Sequence, residues 1–266
     1  MKHFKQIVKN ILLRGKPNLF FMHIPKTGGT SIDFAISRHY PISKYYVDPV
    51  VTINVARIVA DQNLDAVDFE ACFSLRENIL AYKMGKGIKY VTGHVPFRTD
   101  IWEAFHHQYL FTAILRDPIR RFISQYFYNK HKQAEYSKID LDFSDYIASE
   151  AGARCGATYV RYFMGSSKPT NLFSAEAIQA AKNNLSKFSM IGFLEKLDLA
   201  VESFAKISEL KLNVPHQNKN PKKNYQLSEQ DMAKVRQICA PDIEIYDYAK
   251  HIFLEGKKES SSLVKI

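Results

Sequence analysis

Three groups of residues in this chain have the types and spacing to handle an anionic ligand and a proton. The first is Pro25-Lys-Thr-Gly-Gly-Thr-Ser31, which puts a lysine, a glycine pair and hydroxyl residues in one short turn. Gly28 and Gly29 let a ligand approach the backbone. N–H groups at a helix mouth point at an anion with the helix dipole behind them. Pro25 breaks the preceding strand, Lys26 adds a mobile point charge, and Thr27, Thr30 and Ser31 add hydroxyl donors. The second group is Arg116-Asp-Pro-Ile-Arg-Arg-Phe-Ile-Ser-Gln-Tyr126. Arg116 would stand at a strand end, with Arg120 and Ser124 one turn apart on a helix face. A guanidinium and a hydroxyl so placed suit a second phosphate, because Arg presents a planar fork of donors. The third is Gly93-His94, where one imidazole could accept a proton from a hydroxyl near neutral pH.

Each group needs a strand to hold it. Leu19 to Ile24 is a short apolar, aromatic run that reads as a buried strand, and Thr30 to Ile36 reads as the helix after the turn. Tyr109 to Leu115 is a second buried strand, followed by a helix with Asp117 as N-cap and Pro118 at its first position. Lys89 to Phe97 reads as a strand ending at Gly93-His94, at the edge where open α/β sheets bind ligands. The loop is not the nucleotide triphosphatase pattern G-x-x-x-x-G-K-[ST], since its lysine precedes the glycines. Alone, either stretch reads as an ordinary turn or a capped surface helix. Two such junctions in one chain predict an α/β fold, a central mostly parallel sheet flanked by helices.

Together the two stretches resemble the superfamily of sulfotransferases that use 3′-phosphoadenosine 5′-phosphosulfate. That family has a P-K-[TS]-G-[GT]-[TS]-[ST] loop for the 5′-phosphosulfate and an R-[DN]-P-x-x-R-x-x-S-x-[YF] element for the 3′-phosphate. The wording His23-Ile-Pro-Lys-Thr-Gly-Gly-Thr-Ser31 looks most like the carbohydrate branch with heparan and uronyl 2-O-sulfotransferases and bacterial relatives. The resemblance runs from about Asn18 to about Phe253. It implies a P-loop-like sulfotransferase fold with that donor, and Pro25 to Ser31, Arg116 and Ser124 around it. It further implies Asn218 and Lys219 in a loop over the adenosine, His94 as base, and Lys26 as the stabiliser of the phosphosulfate. The branch often carries a second histidine two residues before the base, where this chain has Thr92. Gly192-Phe-Leu-Glu195 and Asp242-Ile-Glu-Ile-Tyr246 resemble two later family segments. No metal is expected, because lysine and arginine supply the positive charge and no acidic pair stands ready for Mg²⁺.

The rest of the chain sets bounds. It has 266 residues with a formal charge of +10, enough for one α/β domain with a substantial core or two small ones. The charge implies an anionic partner and admits nucleic acid, an acidic membrane, a nucleotide or an anionic glycan. The resemblance favours a glycan acceptor and no nucleic acid; it leaves the oligomeric state open. Phe127-Tyr-Asn-Lys-His-Lys132 combines aromatic and basic residues, so Lys130, with Arg154 and Arg161, is an acceptor candidate. Cys72, Cys155 and Cys239 form neither a metal pattern nor a disulfide framework, which predicts reduced thiols. Residues 1–17 read as a basic amphipathic helix, 18–255 as one domain, and 256–266 as a frayed tail. Animal relatives in that branch carry a Golgi membrane anchor. The interrupted first apolar stretch here predicts a bacterial cytoplasmic enzyme, with peripheral contact to an anionic membrane as an option. His23 reads as a residue that orients the turn, and His106-His107 as surface.

Helices are further expected over Leu141–Glu150, Thr158–Met164, Phe173–Leu185, Lys196 to about Leu210, Leu227–Ile238 and Ile243–Phe253, with a strand at Phe188–Phe193. Tyr40 to Leu80 yields no firm assignment beyond a turn at Asp48-Pro49 and a helix or strand over Val50–Ala60. Two other function classes stay open from sequence. One is a metal-dependent kinase or NTPase with a degenerate loop, and the other is a basic module that binds nucleic acid or membrane.

Overall fold

The computed structural model describes residues 13–59, 69–133, 136–165, 171–214 and 227–255. Five parallel strands form one sheet in the order β2-β3-β1-β4-β5. They are β1 (Asn18–Met22), β2 (Lys44–Val47), β3 (Tyr90–Gly93), β4 (Tyr109–Leu115) and β5 (Met190–Phe193). Around them lie α1 (Gly29–Ser37), α2 (Pro49–Val59), α3 (Phe69–Gly85), α4 (Thr99–Phe105), α5 (Pro118–Lys130) and α6 (Phe143–Ala148). The helices continue with α7 (Glu150–Gly156), α8 (Thr158–Phe163), α9 (Ala175–Leu185), α10 (Leu197–Ser208), α11 (Glu229–Ile238) and α12 (Ala240–Lys250).

The alternation of β1 explains why it is central. Phe20 and Met22 enter one buried cluster with Val91, Phe111 and Ile191, while Leu19 and Phe21 enter another with Ile32, Ile36 and Phe204. Helices α1 and α10 cover the second face, and α3, α8 and α9 cover the first. Both faces are dry, so each large side chain of β1 contributes about 1.5–3 kcal/mol by burial.

Met22 pairs with Gly93 on one side and Ala113 on the other, so β3 and β1 end at one level and β4 runs two residues further, to Leu115. From these ends the chain leaves β1 toward β2 at one sheet edge and leaves β4 toward β5 at the other. Loops that diverge in this way open a crevice between β1 and β4, where ligands of such sheets sit.

Several expectations need adjustment. Residues 13–17 form a turn, not the end of a helix; Leu13 is buried and Lys89 Nζ donates to the carbonyls of Leu13 (3.2 Å) and Lys16 (2.8 Å). Residues 1–12 and the tail 256–266 lie outside the described residues. Residues 50–59 are helical, because Asp48 Oδ1 accepts from the N–H groups of Val50 (2.8 Å) and Val51 (3.1 Å) and so starts α2. The expected helix over Leu141–Glu150 stops at Ala148. Ser149 then accepts from Gly152 N at 3.1 Å and caps a separate helix, α7.

A buried ion pair ties the second half of the chain to the site. Arg121 on α5 donates to the carbonyl of Cys155, and its Nη2 lies 3.9 Å from Asp242 Oδ2 on α12. Asp242 Oδ1 accepts from the N–H groups of Tyr159 (2.7 Å) and Val160 (3.1 Å) at the start of α8. Both side chains are fully inaccessible to solvent.

Candidate active site

The turn after β1 forms because two residues adopt the left-handed conformation, Lys26 at φ 66° and Gly28 at φ 78°. Such a φ costs little for glycine and is uncommon for lysine, and strain of this kind clusters at functional sites. The Thr27 hydroxyl turns inward and donates to the Ile24 carbonyl at 3.0 Å, which locks the turn. It therefore supports the loop from inside and does not face the cleft. Pro25, Lys26, Gly28, Gly29, Thr30 and Ser31 line the cleft. Helix α1 starts here with neither a side-chain cap nor an acidic residue in its first turn. Its first N–H groups are thus available to an anion. A Cβ on Gly29 would come within 2.5 Å of the His23 ring, and one on Gly28 within 2.6 Å of Leu194. Backbone and not side chain forms this surface.

Lys26 points its ammonium at the Tyr128 ring, 3.6 Å from the centroid. Burial, then the neighbouring Arg116, lowers its pKa to about 8. A cation held below its ordinary pKa without a carboxylate gains on meeting an anion. Arg116 closes the other side. Its Nη1 donates to the Lys26 carbonyl at 3.2 Å, which joins the turns after β1 and β4 directly. The Arg116 N–H donates to the Tyr159 hydroxyl at 2.8 Å, and that hydroxyl donates to the Arg116 carbonyl. Asp117 caps α5 by accepting from Arg120 N at 2.9 Å, while its own N–H donates to Glu195 Oε1 at 2.9 Å. Tyr246 holds the other oxygen of Glu195 at 2.9 Å. The two segments Gly192–Glu195 and Asp242–Tyr246 thus brace the arginine loop. Arg116 and Ser124 line the cleft, and Arg120 is exposed outside it.

His94 stands at the end of β3, beside this loop and partly exposed to the cleft. Its Nδ1 bonds the His23 carbonyl. A carbonyl only accepts, so Nδ1 carries the hydrogen and Nε2 keeps its lone pair. Burial lowers the His94 pKa to about 4; the bond to His23 opposes that shift and the Arg76 charge adds to it. The imidazole is neutral near pH 7, the form a base needs.

Arg76 was not foreseen. It projects from α3, is 5% exposed, and donates to Thr52 Oγ1 (2.8 Å), the His94 carbonyl (3.1 Å) and the Pro49 carbonyl (3.2 Å). These three acceptors are neutral, so a full positive charge lies in the cleft wall next to His94. An arginine in a helix of unassigned sequence carries no local signal; only the tertiary packing of α2, α3 and β3 reveals it. Arg161 and Arg154 also line the cleft, and Arg154 pairs with Glu150 at 2.6 Å. Lys130 lies elsewhere: its Nζ donates to the carbonyls of Asp140 (2.8 Å) and Leu141 (3.1 Å) and does not reach the cleft. Asn218 and Lys219 fall outside the described residues. The whole cleft measures about 1460 Å³, and Tyr46, Phe69, Phe73, Tyr136 and Tyr162 also line it.

Fold and cleft define a parallel α/β protein with a phosphate-loop-like turn at the switch point of its sheet. Residues 9–249 match the sulfotransferase family, and the chain belongs to that family. Among solved structures it is similar to a sulfotransferase from Alicyclobacillus acidocaldarius, with a TM-score of 0.45 and 12% identity over 89% of this chain and 95% of that one. No curated protein matches it. Among the described residues no helix is long and apolar enough to cross a membrane, and no cluster of His, Cys, Asp and Glu could hold a metal ion.

Proposed function

We propose that this chain moves the sulfuryl group of 3′-phosphoadenosine 5′-phosphosulfate to a hydroxyl of a carbohydrate acceptor. The observation that carries the reading is the convergence of the Lys26 turn, Arg116 and His94 on the ends of β1, β4 and β3. The residues fit the donor: glycines leave the cradle open, α1 offers free N–H groups, and the cations Lys26 and Arg116 line the cleft beside them. When bound, the donor supplies an activated sulfuryl group whose leaving group is the nucleotide phosphate.

The protein's part is positioning and charge. Lys26 and the N–H groups of Gly28, Gly29 and Thr30 would hold the 5′-end and stabilise charge on the oxygen that departs. Arg116 and Ser124 would hold the 3′-phosphate, which ordinary nucleotides lack. His94 Nε2 would take the hydroxyl proton as that oxygen attacks in line. The acceptor side supports a sugar through its aromatic walls, and Arg76 and Arg161 favour an anionic one. A bacterial polysaccharide or its precursor, handled in the cytoplasm or at a membrane surface, agrees with this reading.

The test is release of adenosine 3′,5′-bisphosphate from the donor in the presence of a panel of neutral and uronate-bearing glycans. Glycan-dependent release that is lost in His94→Ala supports the reading. Release with full activity in His94→Ala removes the base assignment.

A further inference from the structure

His23 and Asp33 stand behind His94 without a part in the scheme above. His23 is 8% exposed, and its backbone clamps β1 to β3: its N–H donates to the Gly93 carbonyl at 3.0 Å and its carbonyl receives His94 Nδ1. Its ring centroid lies 4.9 Å from that of His94. One edge of the ring sits under Gly29, and its Nδ1 is buried without a hydrogen-bond partner, 4.0 Å from Asp33 Oδ2. Asp33 projects from the second turn of α1, the helix whose first turn forms the cradle, and its other oxygen accepts from the fully buried Tyr90 hydroxyl. On the described wall of the cleft, Asp33 is the only carboxylate.

Charge decides what this arrangement does. Arg76 from α3 and His23 after β1 act on His94 directly, and Lys26, Arg116, Tyr46 and Asp33 line the same cleft, with Tyr90, Thr92 and Lys44 facing Asp33. Accepting a proton makes His94 a cation beside Arg76, in a cleft that also holds Lys26 and Arg116. Asp33 carries the opposite charge on this wall, and the His23 ring neighbours both groups, its Nδ1 4.0 Å from Asp33 Oδ2 and its centroid 4.9 Å from that of His94. We propose that His23 and Asp33 are positioning residues, the His23 ring excluding water from His94 and the Asp33 carboxylate stabilising the imidazolium it becomes. The proposal rests on His94 being the base. It also makes one helix serve both halves of the reaction, its N-terminus facing the donor and its second turn backing the base.

The experiment is an NMR titration of the full chain labelled in histidine, with the His94 resonance assigned by its loss in His94→Gln. Removing the carboxylate in Asp33→Asn withdraws support from the cation, so the His94 pKa should fall, by on the order of one unit. Removing the ring in His23→Gln admits water, so it should rise by about one unit toward the ordinary value. General loosening raises the value in both variants, which makes the opposite signs diagnostic. A value unchanged or raised in Asp33→Asn overturns the role of Asp33. A value unchanged in His23→Gln, with the Nδ1–H tautomer kept, overturns that of His23. Calorimetry of adenosine 3′,5′-bisphosphate on the wild type is independent: no binding there sinks the donor reading and leaves these titrations standing.

Discussion

The β1–β4 side of the cleft is made largely of backbone: a turn with two left-handed residues, an uncapped helix start, and one hydrogen bond from Arg116 to the Lys26 carbonyl. The β2–β3 side is made of side chains, where Arg76 of α3 reaches the Pro49 carbonyl, Thr52 and the His94 carbonyl. On the proposed function, the first side holds the donor that every turnover shares. The second can change its wall residues without disturbing the turn, which is where acceptor choice belongs.

The largest effects should come from groups that touch the reacting atoms. His94→Ala should lower kcat about 10²–10⁴-fold, and Lys26→Ala by about 10²–10³-fold, in single-turnover assays. Equal losses in kcat and donor affinity for His94→Ala would blur the two sides into one. Next is the brace. Arg121→Ala leaves Asp242 as an uncompensated buried charge and should cost about 3–5 kcal/mol of stability by denaturant unfolding. Gly29→Ala pushes a methyl into the His23 ring and should cost about 1–3 kcal/mol while weakening bisphosphate binding. Arg76→Lys should leave bisphosphate affinity near wild type and raise KM for an anionic acceptor, with about a tenfold effect. An equal loss for neutral and anionic acceptors would make Arg76 a brace for His94 alone.

The smallest effect is one of pH. The pKa of Lys26 is depressed in the free protein to about 8, so its charge is present below that value and lost above it. An anion at the loop binds the protonated form, so bisphosphate affinity should hold below pH 8 and fall as pH rises through it. Lys26→Arg should flatten that fall by calorimetry across the range.

Legibility followed the same division. The turn at Pro25–Ser31 and the capped helix at Asp117-Pro118 are local, since φ > 0 at glycine, an N-cap and a first-position proline are all written in adjacent residues. The two strands beside them are continuous apolar runs because both of their faces are buried. Strand β2 was not legible: as an edge strand with Lys44 and Tyr46 exposed and Val47 buried, it shows neither a long run nor a helical period. Arg76 and the pairing of His23 with His94 were hidden for another reason. Their partners stand 18 to 71 positions away in sequence: the packing of α2, α3 and β3 places Arg76, and the register of β1 against β3 pairs His23 with His94. Lys130 shows the converse, a basic residue in an aromatic stretch whose charge is taken up by the Asp140–Asp142 loop.

The most direct measurement is calorimetric binding of adenosine 3′,5′-bisphosphate, AMP and Mg-ATP to the wild type and to Arg116→Ala. The account predicts tight binding of the bisphosphate alone, weakened at least about tenfold in the variant by loss of a charge-assisted contact. Equal binding of all three ligands, or a bisphosphate affinity untouched by Arg116→Ala, would contradict it.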